Sequence, residues 1–511
     1  MYDADLQRDV DGAAIPHGVR DRAGAWHARP VTLHRREVLA TFGVGSASTL
    51  LWALGCGAPA PLVRRAPQVS GEVRTWLHDA VARLAAAYPF AHALAVVRRR
   101  TAAARDVLGA GTAHLHAEGV ILTVRDHDGT WREHASAALD RDAIADAART
   151  LGAARLPRAI EFGPPPAAPA EPPTLDDREL GARVELLLHG DAALARRLVY
   201  AAAALDVDDA TVWSVAPGRD LEQRLVRIRQ TAVRAARNGE RPVVREIERA
   251  WAGRLDEQPL TPDDLTAASE AALEVLTPGA FDDGEHPVVL DPSVVAVVLD
   301  AAVRGLFTAD VARRPEVARR LAAPAPLASP LVTLVDDPTA PGAYGGFAFD
   351  DEGEPAAPLT LLDAGRVAAQ LSDRAAGAPG RGRRPGHLGR VAPSPSHLRL
   401  APGVADLRQL HSDGFVLEGG LGAQLDPGGD RIRIACTRAR ELRGGRTTGR
   451  LYADIELVGS LPALLTAIDA VDATPATVVP RAAAGRDPTW RSISAPAVRT
   501  RGLVRASRSR A

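Results

Sequence analysis

The sequence predicts an α+β protein of two unlike parts, and three observations carry that prediction. The chain has 511 residues, enough for more than one hydrophobic core. Up to about residue 285, helical and strand patterns are mixed. Beyond Ser329 the pattern is mostly short strands separated by glycine turns.

Composition narrows the classes. The hydrophobic fraction is 46% and the charged fraction 24%, an ordinary globular balance. A net charge of −1 gives no global pull toward nucleic acid or an acidic lipid surface. Aromatic residues are only 4%, which argues against base-stacking platforms. Every basic residue is arginine, and with so much alanine this reads as coding bias rather than a phosphate-reading device. The two cysteines, Cys56 and Cys436, form no CxxC pair, so neither a zinc ribbon nor a thioredoxin-like centre is available.

The elements follow in order. Residues 1–66 read as an export signal with a disordered lead. Arg35 and Arg36 precede an apolar run from Ala40 to Leu54, which is too short to span a bilayer. The paired arginines resemble a twin-arginine signal, and Ala53-Leu54-Gly55-Cys56 resembles a bacterial lipobox with Cys56 as the lipidated residue. This implies a periplasmic or membrane-anchored protein; the alternatives are a buried N-terminal helix and a cytoplasmic location.

Residues 67–285 read as an N-terminal α+β unit. "VSGEVRTWLHDAVARLAAAY" (69–88) is an amphipathic helix, then "ALAVVRRR" and "GVILTVRDHDGTWREHASA" are strands with a hairpin at Asp128-Gly129. "DRDAIADAARTLG" is a helix closed by Gly152, and "GPPPAAPAEPP" (163–173) a stiff linker. "ARVELLLHG", "ALARRLVYAAAAL" and "ATVWSVAPG" read as strand, helix and strand, with further helix from about 221 to 276.

Residues 286–511 read as a β-rich unit. "PVVL" is a strand and "PSVVAVVLDAAVRGLF" a helix begun by Pro292. Strands follow at "LVTLVDD", "GGFAFDD", "APLTLL", "RVAAQL", "GFVLEGG", "RIRIACTRARELRGG" and "RLYADIELVG". Asp336-Asp337 and Asp350-Asp351-Glu352-Gly353 fall at strand ends, where Asp and Gly close turns. Their spacing does not supply the alternating oxygens of a calcium loop, so they read as turn residues.

The stretch "VTLVDDPTAPGAYGGFAFDDEGEPAAPLTLLDAGRVAAQLSD" resembles the C-terminal domain of the TldD/TldE (PmbA) metallopeptidase family. "PGRGRRPG" (379–386) resembles that family's TGNGRR segment, "GFVLEGGLGAQLDP" (414–427) its glycine-rich strand pair, and "GVILTVRDHDGTWREHASAALDRDAIADAARTL" its N-terminal domain. The resemblance implies a two-domain architecture, with a C-terminal, mostly antiparallel β domain that carries the zinc helix.

In the TldD branch, that helix bears HExxxH. Two histidines and a distant cysteine hold zinc, and the glutamate acts as general base. The aligned segment here is 288–314, and it places Asp300, Ala301 and Gly305 at the first histidine, the glutamate and the second histidine. The family cysteine falls near Ala482. Cys436 and His286 lie too far along the chain to substitute. The resemblance therefore implies a TldD-like chain with a degenerate zinc motif, no catalytic residue and no metal, although active relatives carry zinc. It implies a non-catalytic subunit that binds unfolded peptides or a partner, as a homodimer or with a TldD/TldE-type relative; the alternative is an active metal-dependent peptidase with an altered site.

Two further histidine groups stand apart. His114 and His116 share one strand face and can chelate a metal or simply be exposed polar residues. His387 and His397 lie in the proline-rich loop after the RGRR run, and His397 aligns roughly with a family asparagine. No G-x-S-x-G, P-loop or dinucleotide fingerprint is present.

Overall fold

The computed structural model describes residues 70–106, 109–164, 176–189, 192–238, 241–277, 280–406, 413–480 and 490–507, and the pairs 19–20 and 26–27. Counting strands from Phe90, the first sheet contains β1 (Phe90–Asp106), β2 (Gly109–Arg125), β3 (Trp131–Ser136), β4 (Tyr200–Ala216), β5 (Arg219–Asn238) and β6 (Arg241–Ala252). Its order is β3-β2-β1-β4-β5-β6, antiparallel throughout. Helix α1 (Ser70–Ala85) buries Val73, Leu77, Val81 and Leu84 against it at intervals of four, four and three residues. Helix α2 (Arg141–Thr150) starts where the Asp140 carboxylate accepts from the Ala143 N–H, and Gly152 follows its end at φ +85°.

Three readings of this half are corrected. "ARVELLLHG" is not a strand but part of α3 (Asp177–His189), because Leu180, Val184 and Leu187 line one helical face and are buried. "ALARRLVYAAAAL" (193–205) holds only the end of a four-residue helix (Ala192–Ala195) before β4 begins at Tyr200. The stretch from 221 to 276 is mostly β5 and β6, with helix confined to α4 (Pro262–Leu273). The β5 arginines alternate along a strand and pair across the sheet: Arg224 with Asp209 on β4, and Arg229 with Glu248 on β6.

The second sheet begins with β7 (Gly284–Leu290). It continues through β8 (Leu334–Asp336), β9 (Leu359–Asp363) and β10 (Arg366–Val367); a separate small pair is formed by β11 (Gly382–Arg383) and β12 (Ala392–Pro393). Then come β13 (His397–Leu400), β14 (Gly414–Leu425), β15 (Arg431–Arg443), β16 (Arg446–Ser460), β17 (Ala470–Val478) and β18 (Ser492–Ala506). Strands β7, β14, β15, β16 and β18 pair in a ring, because β18 bonds both β16 and β7. "GGFAFDD" is not a strand; it makes only a Phe349–Pro355 bridge.

Helix α5 (Pro292–Ala302) begins at the Asp291 cap and packs Val294, Val295, Val298 and Leu299 into the main core of this half. A small apolar cavity lies beneath it, lined by Leu290, Val298, Leu400, Leu464 and Ile468 among others. No helix among the described residues is long and apolar enough to cross a membrane.

Candidate functional site

Helix α5 does not end as an ordinary α-helix. Val303–Phe307 form a π-turn, which widens the helical repeat toward the i to i+5 spacing that separates Asp300 from Gly305. The donors are another matter. Asp300 is 4% exposed and its carboxylate is already engaged. Oδ1 accepts from Arg491 Nε at 2.7 Å, and Oδ2 lies 2.7 Å from an Arg304 guanidinium nitrogen. Ala301 faces the core, and Gly305 offers no side chain. Arg491 reaches α5 from the start of β18, so the helix and the barrel's last strand are tied through one carboxylate.

A second centre lies where the two sheets meet. The acidic pairs read as turn residues are buried, and this corrects the simple turn reading. Asp350 does close a turn, accepting from the N–H groups of Glu352 and Glu354 at 3.0 and 2.9 Å, but its other oxygen takes the Gly382 N–H at 3.0 Å. Asp336 is fully buried; it accepts from Ser396 and His397 N–H and from Arg381 Nε at 2.6 Å. Asp351 accepts from the Arg384 N–H at 2.7 Å and meets His387 Nδ1 at 2.9 Å, with Arg383 3.7 Å away. The DD and DDE knots therefore receive the RGRR run, whose arginines need buried anions for company. Gly382 is required within that run, since a Cβ there falls 2.4 Å from Glu352 Oε2.

Electrostatics follow from burial. It pushes Asp350 up to about 6 and Glu352 up to about 7, Asp350 adding to the rise at Glu352. Burial works the same way on Asp351, but His387, Arg383 and the Arg384 N–H outweigh it and hold that carboxyl below its usual range. His92, on β1, is driven well below the ordinary imidazole value by burial and then by Arg374, Arg384 and Arg219.

The first sheet supplies the rest of this centre. Trp490 is buried with the Arg98 and Arg227 guanidinium carbons 4.4 and 4.6 Å from its ring centre, and His387 stacks on it at 4.8 Å. Gln223, on β5, donates to the Phe349 carbonyl and accepts from the Ala348 N–H at 2.9 and 2.8 Å. His92 and Ser214 share a 2.8 Å hydrogen bond, a base beside a hydroxyl. Both are buried, and the Gly353 backbone packs so closely that a Cβ added there would fall 2.2 Å from Ser214 Oγ. This centre joins the two sheets.

Other sequence candidates fall elsewhere. His114 bonds Thr101 and Asp177, while His116 meets Glu118 at 3.3 Å. His397 is buried with Nδ1 2.8 Å from Ser492 Oγ, and burial lowers its pKa. His286 packs against Phe281 and Phe415. The Cys436 thiol is buried, and desolvation pushes its pKa far up. Arg35, Arg36, Cys56 and Ala482 lie outside the described residues. Sequence reasoning missed Arg491, Trp490, His92 and Ser214. The one available signal was a tryptophan beside an arginine, "TWRS", in a chain with only seven tryptophans.

A zinc centre needs about three protein donors with an open position. Asp300 has both oxygens committed to guanidinium groups and its two companions are Ala301 and Gly305. Among the described residues there is no group of three or more His, Cys, Asp and Glu side chains placed to hold a metal ion. The residues present at α5 do not fit zinc.

Comparison with known proteins places this geometry. Residues 283–507 match the profile of the PmbA/TldA metallopeptidase C-terminal domain. A metalloprotease of Methanocaldococcus jannaschii is 27% identical over 213 residues, which is 40% of this chain and 47% of that protein. A metalloprotease of Methanothermobacter thermautotrophicus is 26% identical over 211 residues, 40% of this chain and 46% of the relative. The chain thus spans about half the length of these curated relatives.

In fold, the chain is similar to a proposed modulator of DNA gyrase from Thermotoga maritima. The TM-score is 0.64 at 17% identity, covering 81% of this chain and 96% of that one. It is likewise similar to TldE from Thermococcus kodakarensis, with a TM-score of 0.63 at 16% identity, covering 84% of this chain and all of that one. The fold is that of a metallopeptidase-like α+β protein. Residues 283–507 thus match a PmbA/TldA-type metallopeptidase C-terminal domain, and the chain shares its fold with TldE.

Proposed function

We propose that this chain is a non-catalytic member of its metallopeptidase family, acting as a peptide-binding or partner subunit of a dimeric assembly. One observation carries the reading: the carboxylate at the first-histidine position is held by Arg491 and Arg304. A guanidinium remains protonated at any physiological pH and neither activates water nor takes its proton. Ala301, where the family's base stands, has no group that can. The buried junction supports a scaffold role, because Asp336, Asp350 and Asp351 accept from Arg381 Nε and from the Gly382 and Arg384 N–H groups rather than facing an open cleft.

The test is the metal content of purified protein, together with cleavage of unfolded peptide with and without chelator. The expected result is no bound zinc and no chelator-sensitive hydrolysis. One zinc per chain with chelator-sensitive turnover overturns the reading in favour of an active peptidase with an altered site.

The proposal extends to location. The Arg35-Arg36 pair, the apolar run and Cys56 support export by a twin-arginine-like route, with the mature chain held at a membrane by acyl groups on Cys56. Labelled palmitate incorporation that disappears in Cys56→Ala is the expected outcome. Equal labelling of that variant refutes the anchor.

A further inference from the structure

A group of charged side chains meets where the edge of the first sheet and the end of α4 approach the barrel. Arg245 lies on β6, and Glu274 directly follows α4. Glu418 lies on β14, with Arg438 and Arg440 on β15. Four of these groups close on one another. Arg438 bridges Glu274 and Glu418. Arg440 does the same, with Nη2 2.8 Å from Glu274 Oε1 and Nε 3.4 Å from Glu418 Oε1. Both carboxylates are thus shared between the two β15 arginines, and the set is neutral.

Arg245 is the group left over. Its Nη1 donates to the Val244 carbonyl at 3.0 Å. Its Nε and Nη2 are both buried and have no acceptor. Those two atoms form one edge of the guanidinium, whose parallel N–H bonds match the two oxygens of a carboxylate. Arg224, in the same sheet, uses this edge on Asp209, with Nε and Nη2 at 2.8 and 3.0 Å. Among the described residues, no other buried arginine leaves both atoms of the edge unmatched. Burial, and after it the charge of Arg438, pulls the Arg245 pKa down to about 10, so the group is still a cation near neutral pH. Arg234 stands opposite in the strand register but turns its guanidinium to the Val233 and Leu187 carbonyls, and so does not answer it either.

We propose that Arg245 anchors a carboxylate-binding site between the two halves of the chain, with Arg438 and Arg440 completing it. The ligand's two oxygens lie side-on against Nε and Nη2, as those of Asp209 do against Arg224. Charge selects the class of ligand. The arginines of the cluster outnumber its glutamates by one, so a monoanionic carboxylate balances it and a phosphate dianion overshoots. Entry is through Glu274 and Arg440, long side chains that are 31% and 22% exposed and able to swing outward. The site stands apart from the zinc question, because Asp300 and its two arginines belong to α5, the turn after it and the start of β18.

Acetate is the first probe, titrated into the full-length protein in Tris-chloride buffer at constant ionic strength. Calorimetry is expected to show one saturable site per chain, and the unfolding midpoint to rise with acetate but not with chloride. Arg245→Leu should weaken acetate binding by roughly tenfold or more. Its own midpoint without acetate should equal or exceed the parent's, since an unmatched buried cation has been removed. Arg245→Lys keeps the charge without the two-atom edge and should also weaken binding. A tripeptide with a free C-terminal carboxylate separates two sources of the group: tighter binding than acetate assigns the site to chain ends, and weaker binding to small acids. Undiminished binding in Arg245→Leu overturns the proposal, as does failure of both carboxylates to bind. So does equal binding of the C-terminally amidated tripeptide, or tighter binding of inorganic phosphate than of acetate. An Arg245→Leu midpoint well below the parent's also overturns it, because the guanidinium would then already be matched within the chain. None of these outcomes bears on the zinc measurement, so the two readings fail separately.

Discussion

Removing the Asp300 carboxylate tests whether an ion cluster has taken over the structural duty at α5. The two contacts differ in setting: the Arg491 side chain is 12% exposed and that of Arg304 is 50%. Breaking a buried ion pair by deleting one partner costs about 3–5 kcal/mol, and exposed pairs contribute roughly 0–1. Asp300→Ala is therefore expected to destabilise by about 3 kcal/mol, nearly all through Arg491. A double-mutant cycle separates the contributions: coupling of about 2 kcal/mol or more for Asp300 with Arg491, and about 0.5 for Asp300 with Arg304. The assay is urea unfolding followed by circular dichroism and tryptophan emission, whose transitions must coincide for a two-state treatment. Coupling to Arg491 indistinguishable from zero would falsify the idea that this pair ties α5 to β18. Wild-type protein that loses stability on chelation would show instead that a metal is involved.

Two more predictions concern the same elements. Glu352, raised to about 7 by burial, holds a proton in the folded state that the unfolded chain releases near its usual value. Its contribution is therefore fully present below about pH 4.3 and is lost as pH rises to about 7, an effect on the order of 3 kcal/mol. Glu352→Gln should flatten stability against pH in that window, and an unchanged slope refutes the assignment. Gly305→His cannot rebuild a zinc site alone, because Asp300 is held by Arg491 and Arg304 and Ala301 offers no donor; the new Cβ meets the end of the Leu425 side chain, 2.4 Å from Cδ2. Its expected cost is about 1–3 kcal/mol by overpacking, with zinc content unchanged; zinc uptake by this single variant contradicts the reading.

The β-rich half was legible in part: β14, β15 and β16 alternate and end in glycine turns, and α5 announced itself through Pro292 and its valine run, but β13, β17 and β18 were missed and "GGFAFDD" is no strand. The first half was harder to read because local preference and tertiary pairing disagree there. "YAAAAL" has strong helix propensity, yet Ala202, Ala203 and Leu205 are buried in β4 among five other long strands. In β5, "RLVRIRQ" does carry a period-two alternation at Val226-Arg227-Ile228-Arg229, and its arginine and leucine content masked it. The site was legible in part. Loss of the zinc donors could be read residue by residue, but not Arg491, some 190 residues away, nor the pairing of the acidic knots with RGRR. Such contacts depend on closure of the fold, and no local pattern records them.

Strand β18 pairs with β7, β13, β16 and β17, so the barrel cannot close without it. It is also translated after all four. While the ribosome is still adding residues before Ser492, β7 and β16 carry unmatched edges and α5 lacks the guanidinium that answers Asp300. A nascent chain stalled short of that point should expose this half to proteases and chaperones, and its maturation should begin only once the last fifteen-residue strand has left the exit tunnel.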